Sequence, residues 1–535
     1  MENKNTIIAL TLMLVVWVGF TLYSQTKVDK APLDTEISPP VVAQNQPAEN
    51  RLVSDFTANL ADKKDPATIK PREITIETDN YIAVLSNQGA SLKSFKLKKY
   101  KVSSKEDSDI IDLVQDKSLP TLQSSGENFF QTKNEDLFYL NTDENYFYIN
   151  EGDTKELSFQ FDNSYGVTFI KKYVFNGDGY EFPVTISAYN KSDKSVDGKI
   201  SLSLVTPFSR VDESSSLTFV GPATFIDDDV ETLKRKAIEQ SAEYGNNAVW
   251  TAFQDEYFMS AVVPLENSLD RIKVYRDENS ILNRVYSPDR TLAPQANVSF
   301  DYLVYFGPRD PEILKALNYQ LYEIIDFGIF DFIARPLLYV LNFFYSFVGN
   351  YGVAIILLTV LIKIIFWPLT QKSYSSMKAM QTLQPEMQKI REKFKNDKER
   401  LNREIMELYK NKRVNPLGGC LPMLIQIPVF FALYKVLLGN IALRHAPFTL
   451  WITDLSAKDP YYITPIIMGG TMFLQQKMTP TTMDPTQAKI FLAMPIVFTF
   501  LFLNFPSGLV IYWLVNNILT ILQQYLINRT PLQSK

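Results

Sequence analysis

From about residue 350 onward the chain carries apolar runs as long as the hydrocarbon core of a bilayer, roughly 30 Å, requires of a helix. One of them, "VAIILLTVLIKIIFWPLT" at 353 to 370, holds a lysine, Lys363, well inside its length. Up to about residue 310 the sequence is instead polar and mixed, so the overall figures of 46% hydrophobic and 21% charged residues average two unlike parts. The pattern is that of a membrane protein with a large soluble domain.

A single cysteine, Cys420, and a single histidine, His445, rule out an intrachain disulfide and a zinc site of the Cys/His kind. The sequence contains no Walker-type phosphate loop, dinucleotide fingerprint or GxSxG elbow. "NGDG" at 176 to 179 and the run Asp227, Asp228, Asp229 read as a hairpin turn and a solvated loop rather than as calcium ligands. No catalytic residue, metal or cofactor is expected.

The apolar segment from Ile7 to about Tyr23 has no small-residue cleavage site after it and reads as an uncleaved signal anchor within 1–24. Residues 25–70, rich in Pro, Asn, Gln, Lys and Asp, read as a flexible linker. Short alternating runs such as "LSFQF", "YGVTFIKKYVF" and "FPVTISAY" then predict a β-sandwich domain over 71–310. In "PEILKALNYQLYEIIDF", Leu314, Leu317, Leu321 and Ile324 recur at helical spacing; an amphipathic interfacial helix or an ordinary domain helix within 311–349 fits this pattern. A five-helix core follows over 350–528, with a short tail at 529–535.

Charge orients these parts. The segment 25–310 has 45 Asp plus Glu against 31 Lys plus Arg, whereas 371–415 has twelve basic residues against six acidic. By the positive-inside rule the basic segment is cytoplasmic and the β domain lies on the other side. Spans near 350–370, 420–440, 461–478, 488–504 and 507–527 then alternate, which with the anchor makes six spans with both termini inside. In 371–415, Met380, Leu383, Met387, Ile390 and Phe394, then Leu401, Ile405 and Leu408, follow helical spacing; they predict an antiparallel helical hairpin whose first arm Pro385 bends, against the alternative of a solvated basic loop. Its basic residues and Met stripe suit anionic lipid headgroups, ribosomal RNA or a protein partner.

A lysine in mid-bilayer costs roughly 2.5–3.5 kcal/mol on insertion scales, so it usually faces protein or water. Lys363 lies on the order of 10 Å from the expected cytoplasmic end near Thr370, which leaves snorkelling open. Other spans carry polar groups at similar depth. Thr359 shares a helix face with Lys363; Gln426 occupies the first half of the next span; Trp513, Asn517, Thr520 and Gln524 form a stripe flanked by Tyr512, Asn516 and Gln523. The last four spans hold no Asp or Glu in their apolar stretches, so a lysine in this pocket would attract an anionic group from outside.

"NPLGGCLPMLIQIPVFFALYKVL", "APFTLWITDLSAKDPYYITPIIMGGTMFLQQKMTPTTMDPTQAKI" and "NFPSGLVIYWLVNNILTILQQ" closely resemble the core of the YidC family of bacterial membrane protein insertases, over about 350 to 528. The resemblance implies an α+β membrane protein: a six-span α-helical bundle with a periplasmic β-supersandwich domain, similar to sugar mutarotases but without catalysis, and a cytoplasmic helical hairpin. It implies that the last five spans enclose a hydrophilic groove open to the cytoplasm and lipid. There the basic residue receives hydrophilic parts of a nascent chain, while the hydrophobic segment leaves along the third and last spans. Lys363, Thr359, Gln426, Tyr512, Trp513, Asn516, Asn517 and Thr520 are the expected groove residues. The partners implied are nascent membrane proteins, the Sec translocon, and the ribosome and signal-recognition components through the hairpin; anionic lipids join them and DNA does not. The family's groove cation is usually arginine, so Lys363 keeps the charge without the planar fork. A solute transporter, for which no internal repeat is evident, and a membrane-anchored sugar-binding sensor are the alternatives.

Overall fold

A computed structural model describes residues 69–114, 119–211, 219–395, 397–412, 421–479 and 485–529. The expected signal anchor, nearly all of the linker and tail, and Cys420 lie outside the described residues.

Strands run from Glu73–Glu77 to Asn297–Pro308 and form sheets of five, nine and six strands. The alternation in "FPVTISAY" explains one central strand: Phe182, Val184, Ile186 and Ala188 point into the core, and Glu181–Asn190 pairs antiparallel with both Val167–Asn176 and Asn297–Pro308. The "NGDG" stretch is the turn between Val167–Asn176 and Glu181–Asn190, with Asn176 Oδ1 accepting from Gly179 N at 3.0 Å. Asp227 and Asp228 take left-handed φ in the turn between Gly221–Ile226 and Asp229–Thr232. Asn283 of the six-stranded sheet donates to Thr251 Oγ1 and Ala252 O of the nine-stranded one, tying the two layers across the core.

The single amphipathic helix suggested over 311–327 is not formed. Asp310 caps a helix of only six residues, Pro311–Ala316, and Leu321–Ile324 is one 3-10 turn. Between them Asn318, Tyr319 and Gln320 adopt left-handed φ, which no right-handed helix passes through. This break lets Leu314, Leu321 and Ile324 all reach the protein core. The amphipathic element is the next helix, α1 (Asp331–Val348), which buries Ala334, Leu338 and Leu341 and exposes Phe332, Tyr339, Phe343 and Phe347.

Helix α2 (Tyr351–Thr382) runs twelve residues beyond the expected end of its span. It is followed by α3 (Gln384–Lys393) and α4 (Lys398–Asn411); Met380 at the end of α2, Leu383, Met387 of α3 and Tyr409 of α4 form one apolar cluster that holds them together. Tyr409 OH donates to Met387 Sδ, and Lys412 pairs with Glu386 at 3.2 Å. Pro385 sits in the first turn of α3, where its missing N–H is harmless, and bends no longer arm. The remaining helices are α5 (Leu421–Leu438), α6 (Ile463–Met478), α7 (Pro485–Phe502) and α8 (Ser507–Arg529). By length and composition α2 and Ser507–Ile527 of α8 are each able to cross a membrane. Outward faces of α6 and α7 expose Ile466, Ile467, Phe473, Ile496, Val497 and Phe500. A Cβ on Gly469 would come within 2.0 Å of Thr499 Oγ1, so only glycine permits this approach of α6 to α7.

The segment between α5 and α6 closes one end of the bundle. Asn350 Nδ2 donates to Phe448 O at 2.9 Å, and a Cβ on Gly352 would lie 2.0 Å from the Phe448 ring. Ala457 O accepts from Ser507 N and Oγ, and Leu455 O from Gly508 N. Asp459, 0% exposed, accepts from Tyr461 N at 2.9 Å, Thr464 N at 2.7 Å and Thr464 Oγ1 at 2.6 Å, anchoring the start of α6. Arg444 joins this segment to the β domain by donating to Val102 O and lying over the Tyr257 and Phe258 rings.

Candidate functional site

Polar residues of α8 lie one to two turns apart, so one stripe of that helix meets α2, α5 and α6 in turn. Toward α2, Thr520 Oγ1 accepts from Lys363 Nζ at 2.6 Å, and Gln523 Nε2 donates to Thr370 Oγ1 at 2.8 Å. Toward α5, Gln426 Nε2 donates to Asn516 Oδ1 at 2.8 Å. Toward α6, Asn517 Nδ2 donates to Thr471 Oγ1 at 3.2 Å and Gln524 Nε2 to Thr479 Oγ1 at 3.1 Å. Asn517, Gln523 and Gln524 are thus each anchored through their N–H2, while the buried Oε1 atoms of Gln523 and Gln524 have no partner among the described residues.

A cavity of about 480 Å³ opens beside this stripe. Of the expected residues, Gln426, Tyr512, Trp513, Asn516 and Asn517 line it. Its apolar wall includes Phe430, whose ring meets Trp513 edge-on at 4.8 Å, and Phe498. Lys363, Thr359 and Thr520 are not among the lining residues. Lys363 is 7% exposed and stands behind Asn516 and Thr520, with Asn516 Oδ1 3.4 Å from Nζ. No carboxylate pairs with it among the described residues.

Thr359 is set apart from the others. Its hydroxyl donates to Ile355 O, one turn back in its own helix, at 2.6 Å, and the residue is 1% exposed. The Lys363 amine goes to Thr520 and Asn516 instead, and no bond joins it to Thr359 among the described residues, so the shared helix face does not make the two partners.

The cavity also draws on residues that sequence reasoning passed over: Tyr374 and Met377 of α2, and Met472, Gln475, Gln476 and Thr479 of α6. A signal was available in "FLQQKMTP", where two glutamines end an otherwise apolar run. Tyr374 and Met377 were hidden because α2 continues past the point where its apolar run stops.

Two family models match the chain: one described as YidC periplasmic domain over residues 73–340, and one described as 60Kd inner membrane protein over residues 343–534. Among curated relatives, Membrane protein insertase YidC of Geobacter sp. strain M21 is 47% identical over 467 residues, covering 86% of each chain. That of Geotalea daltonii is 44% identical over 541 residues, covering 99% of each. A solved structure titled as an active YidC insertase with its first transmembrane domain resolved aligns with 17% identity and a TM-score of 0.38, over 91% of this chain and 99% of that one. With near-full-length relatives of this identity, the chain belongs to the YidC family of membrane protein insertases.

Proposed function

We propose that the cavity beside α8 is a substrate groove, in which polar parts of a nascent membrane protein are held while its apolar segment passes into lipid. The observation that carries this reading is the pairing of an amide-lined cavity with lipid-suited helix faces: Gln426, Asn516 and Asn517 line the hollow, while α6 and α7 display Ile466, Phe473, Ile496 and Phe500 outward. Hydrocarbon offers no hydrogen bonds, so a polar segment crossing it unaided leaves every backbone group unsatisfied. A polar hollow between the helices lowers that cost without covalent chemistry, and we assign the protein no catalytic residue.

In this reading the domains are those of the sequence: an anchor in 1–24, a linker over 25–70, a periplasmic β domain over 71–310, a connection over 311–349, the insertase core over 350–528 and a short tail. Six spans place both termini in the cytoplasm of a bacterial inner-membrane protein, and the excess of basic residues in 371–415 supports that orientation. The packed pair α3 and α4 then forms a cytoplasmic hairpin for the ribosome, signal-recognition components and anionic lipid, with the Sec translocon as a further partner. Lys363, Thr520, Gln426, Asn516, Asn517, Tyr512 and Trp513 make up the groove and its support; Thr359 serves helix packing alone.

Photoreactive residues at Gln426 and Trp513, tested against ribosome-stalled membrane-protein chains, should cross-link to the nascent segment. Residues at outward-facing Ile496 should reach only its apolar stretch. Cross-links confined to Ile496, with none from the cavity, would refute the groove.

A further inference from the structure

Three helices converge on one amide. Asn516 Oδ1 receives Gln426 Nε2 from α5 at 2.8 Å and faces Lys363 Nζ of α2 at 3.4 Å. The direction of these bonds follows from proton counting. Thr520 Oγ1 donates its one proton to Asn516 O at 2.7 Å, so it can only accept from Lys363, and the lysine is the donor of the cluster. A donor beside Asn516 requires its oxygen on that side, because the flipped amide would set N–H against N–H. Both lone pairs of Oδ1 are thereby directed to Lys363 and Gln426. Its Nδ2 makes no hydrogen bond among the described residues, and Asn516 is partly buried on the cavity wall.

We propose that Asn516 is the residue of the groove that hydrogen-bonds the client chain, and that Lys363 and Gln426 are positioning residues that fix its Nδ2–H2 as a donor toward a peptide carbonyl or carboxylate oxygen. This rests on the groove reading above. With Oδ1 taken by Lys363 and Gln426, Nδ2–H2 is what Asn516 has left to offer at the cavity wall, and a polypeptide crossing hydrocarbon presents a carbonyl at every residue in need of a donor. The lysine, nearly enclosed, does not meet the client. Its proton donation polarises the amide and makes Nδ2 a stronger donor than a solvent-facing asparagine.

A purely structural network would behave differently, and Asn516→Asp separates the two. Aspartate keeps the acceptor that Lys363 and Gln426 require while removing both N–H donors. The test uses the full chain in proteoliposomes and two clients that differ only in a neutral or an acidic translocated tail. Asn516→Asp should melt no lower than the parent yet insert the neutral-tailed client about tenfold more slowly, the equivalent of one lost hydrogen bond, and the acidic one more slowly still. Lys363→Arg should retain insertion and Lys363→Met should lower it, whereas in an Asn516→Leu background Lys363→Met should cause no further loss. Parental insertion of both clients by Asn516→Asp overturns the proposal while leaving the groove intact, as does an additive loss in the double variant. Absence of client cross-links from Gln426 and Trp513 would instead remove the groove itself.

Discussion

Asp459 holds the segment that closes the bundle, and its removal should open that end. Its two carboxylate oxygens accept three hydrogen bonds at 2.6–2.9 Å, from Tyr461 N, Thr464 N and Thr464 Oγ1, at a site with 0% exposure. Hydrogen bonds to a charged group are worth about 1.5–3 kcal/mol each, and a buried donor left unpaired costs about 1–3 kcal/mol. Thr464 Oγ1 can turn to another acceptor, so Asp459→Ala strands two backbone donors and should cost about 3 kcal/mol. Asp459→Asn keeps one oxygen and should cost about half as much. If the loss falls on local opening of the 441–462 segment, about 3 kcal/mol raises the open population on the order of a hundredfold. The assay places a cysteine at Leu455, 1% exposed, in a Cys420→Ser background and follows labelling by a membrane-impermeant maleimide. The rate should rise on the order of a hundredfold with Asp459→Ala and about tenfold with Asp459→Asn. A cysteine at exposed Ala457 should label equally fast in all three. Equal rates at Leu455 in the parent and in Asp459→Ala would show that the carboxylate does not hold the closure.

Two further outcomes concern the β domain and the orientation of the chain. Lys171, 1% exposed, donates to Leu122 O at 2.5 Å from inside the sandwich, and burial pushes its amine down to about 7. Since the unfolded chain binds that proton more tightly, stability should rise with pH from about 7 toward the free lysine value of roughly 10.4. Lys171→Met should therefore slow hydrogen exchange over Val167–Asn176 most below pH 7, by an amount equivalent to about 2–4 kcal/mol, and lose this advantage near pH 10. A gain independent of pH would mean that the buried amine carries no charge penalty. In intact cells, a cysteine at Ala457 should react with an impermeant thiol reagent from outside and one at Ser376 should not; the reverse pattern would overturn the orientation.

How much of this was readable in advance differs from element to element. The alternation of "FPVTISAY" needs only the pleat of a strand to place Phe182 and Ile186 inside, and that much was legible. The same rule sets Lys171 between Phe169 and Tyr173 on the inner face, a reading that composition discouraged because lysine is so seldom buried. Periodicity could not show the break at Asn318, Tyr319 and Gln320, since three left-handed residues leave the spacing of leucines unchanged. At the site, depth along the spans grouped Gln426, Asn516 and Asn517, and these three line one cavity. Rotation about each helix axis was not legible, for it depends on how α2 leans on α8. That rotation puts the amine of Lys363 behind Asn516, while the side-chain torsion of Thr359 turns its hydroxyl back on Ile355 O of its own helix.

Helix α2 is 32 residues long, about 48 Å at 1.5 Å per residue, against a hydrocarbon core of roughly 30 Å. Its far part is braced on α8 where Gln523 meets Thr370 and Lys378 Nζ donates to Ile527 O. If α2 crosses the membrane as proposed, such a strut carries α3 and α4 about 18 Å beyond the hydrocarbon core. In the proposed reading a client that meets the α3–α4 pair passes Tyr374 and Met377, which line the same cavity, before it reaches Asn516 and Asn517. The strut thereby sets the separation between the α3–α4 pair and the amides deeper in the bundle: one turn added or removed between Gln371 and Met380 changes it by about 5 Å.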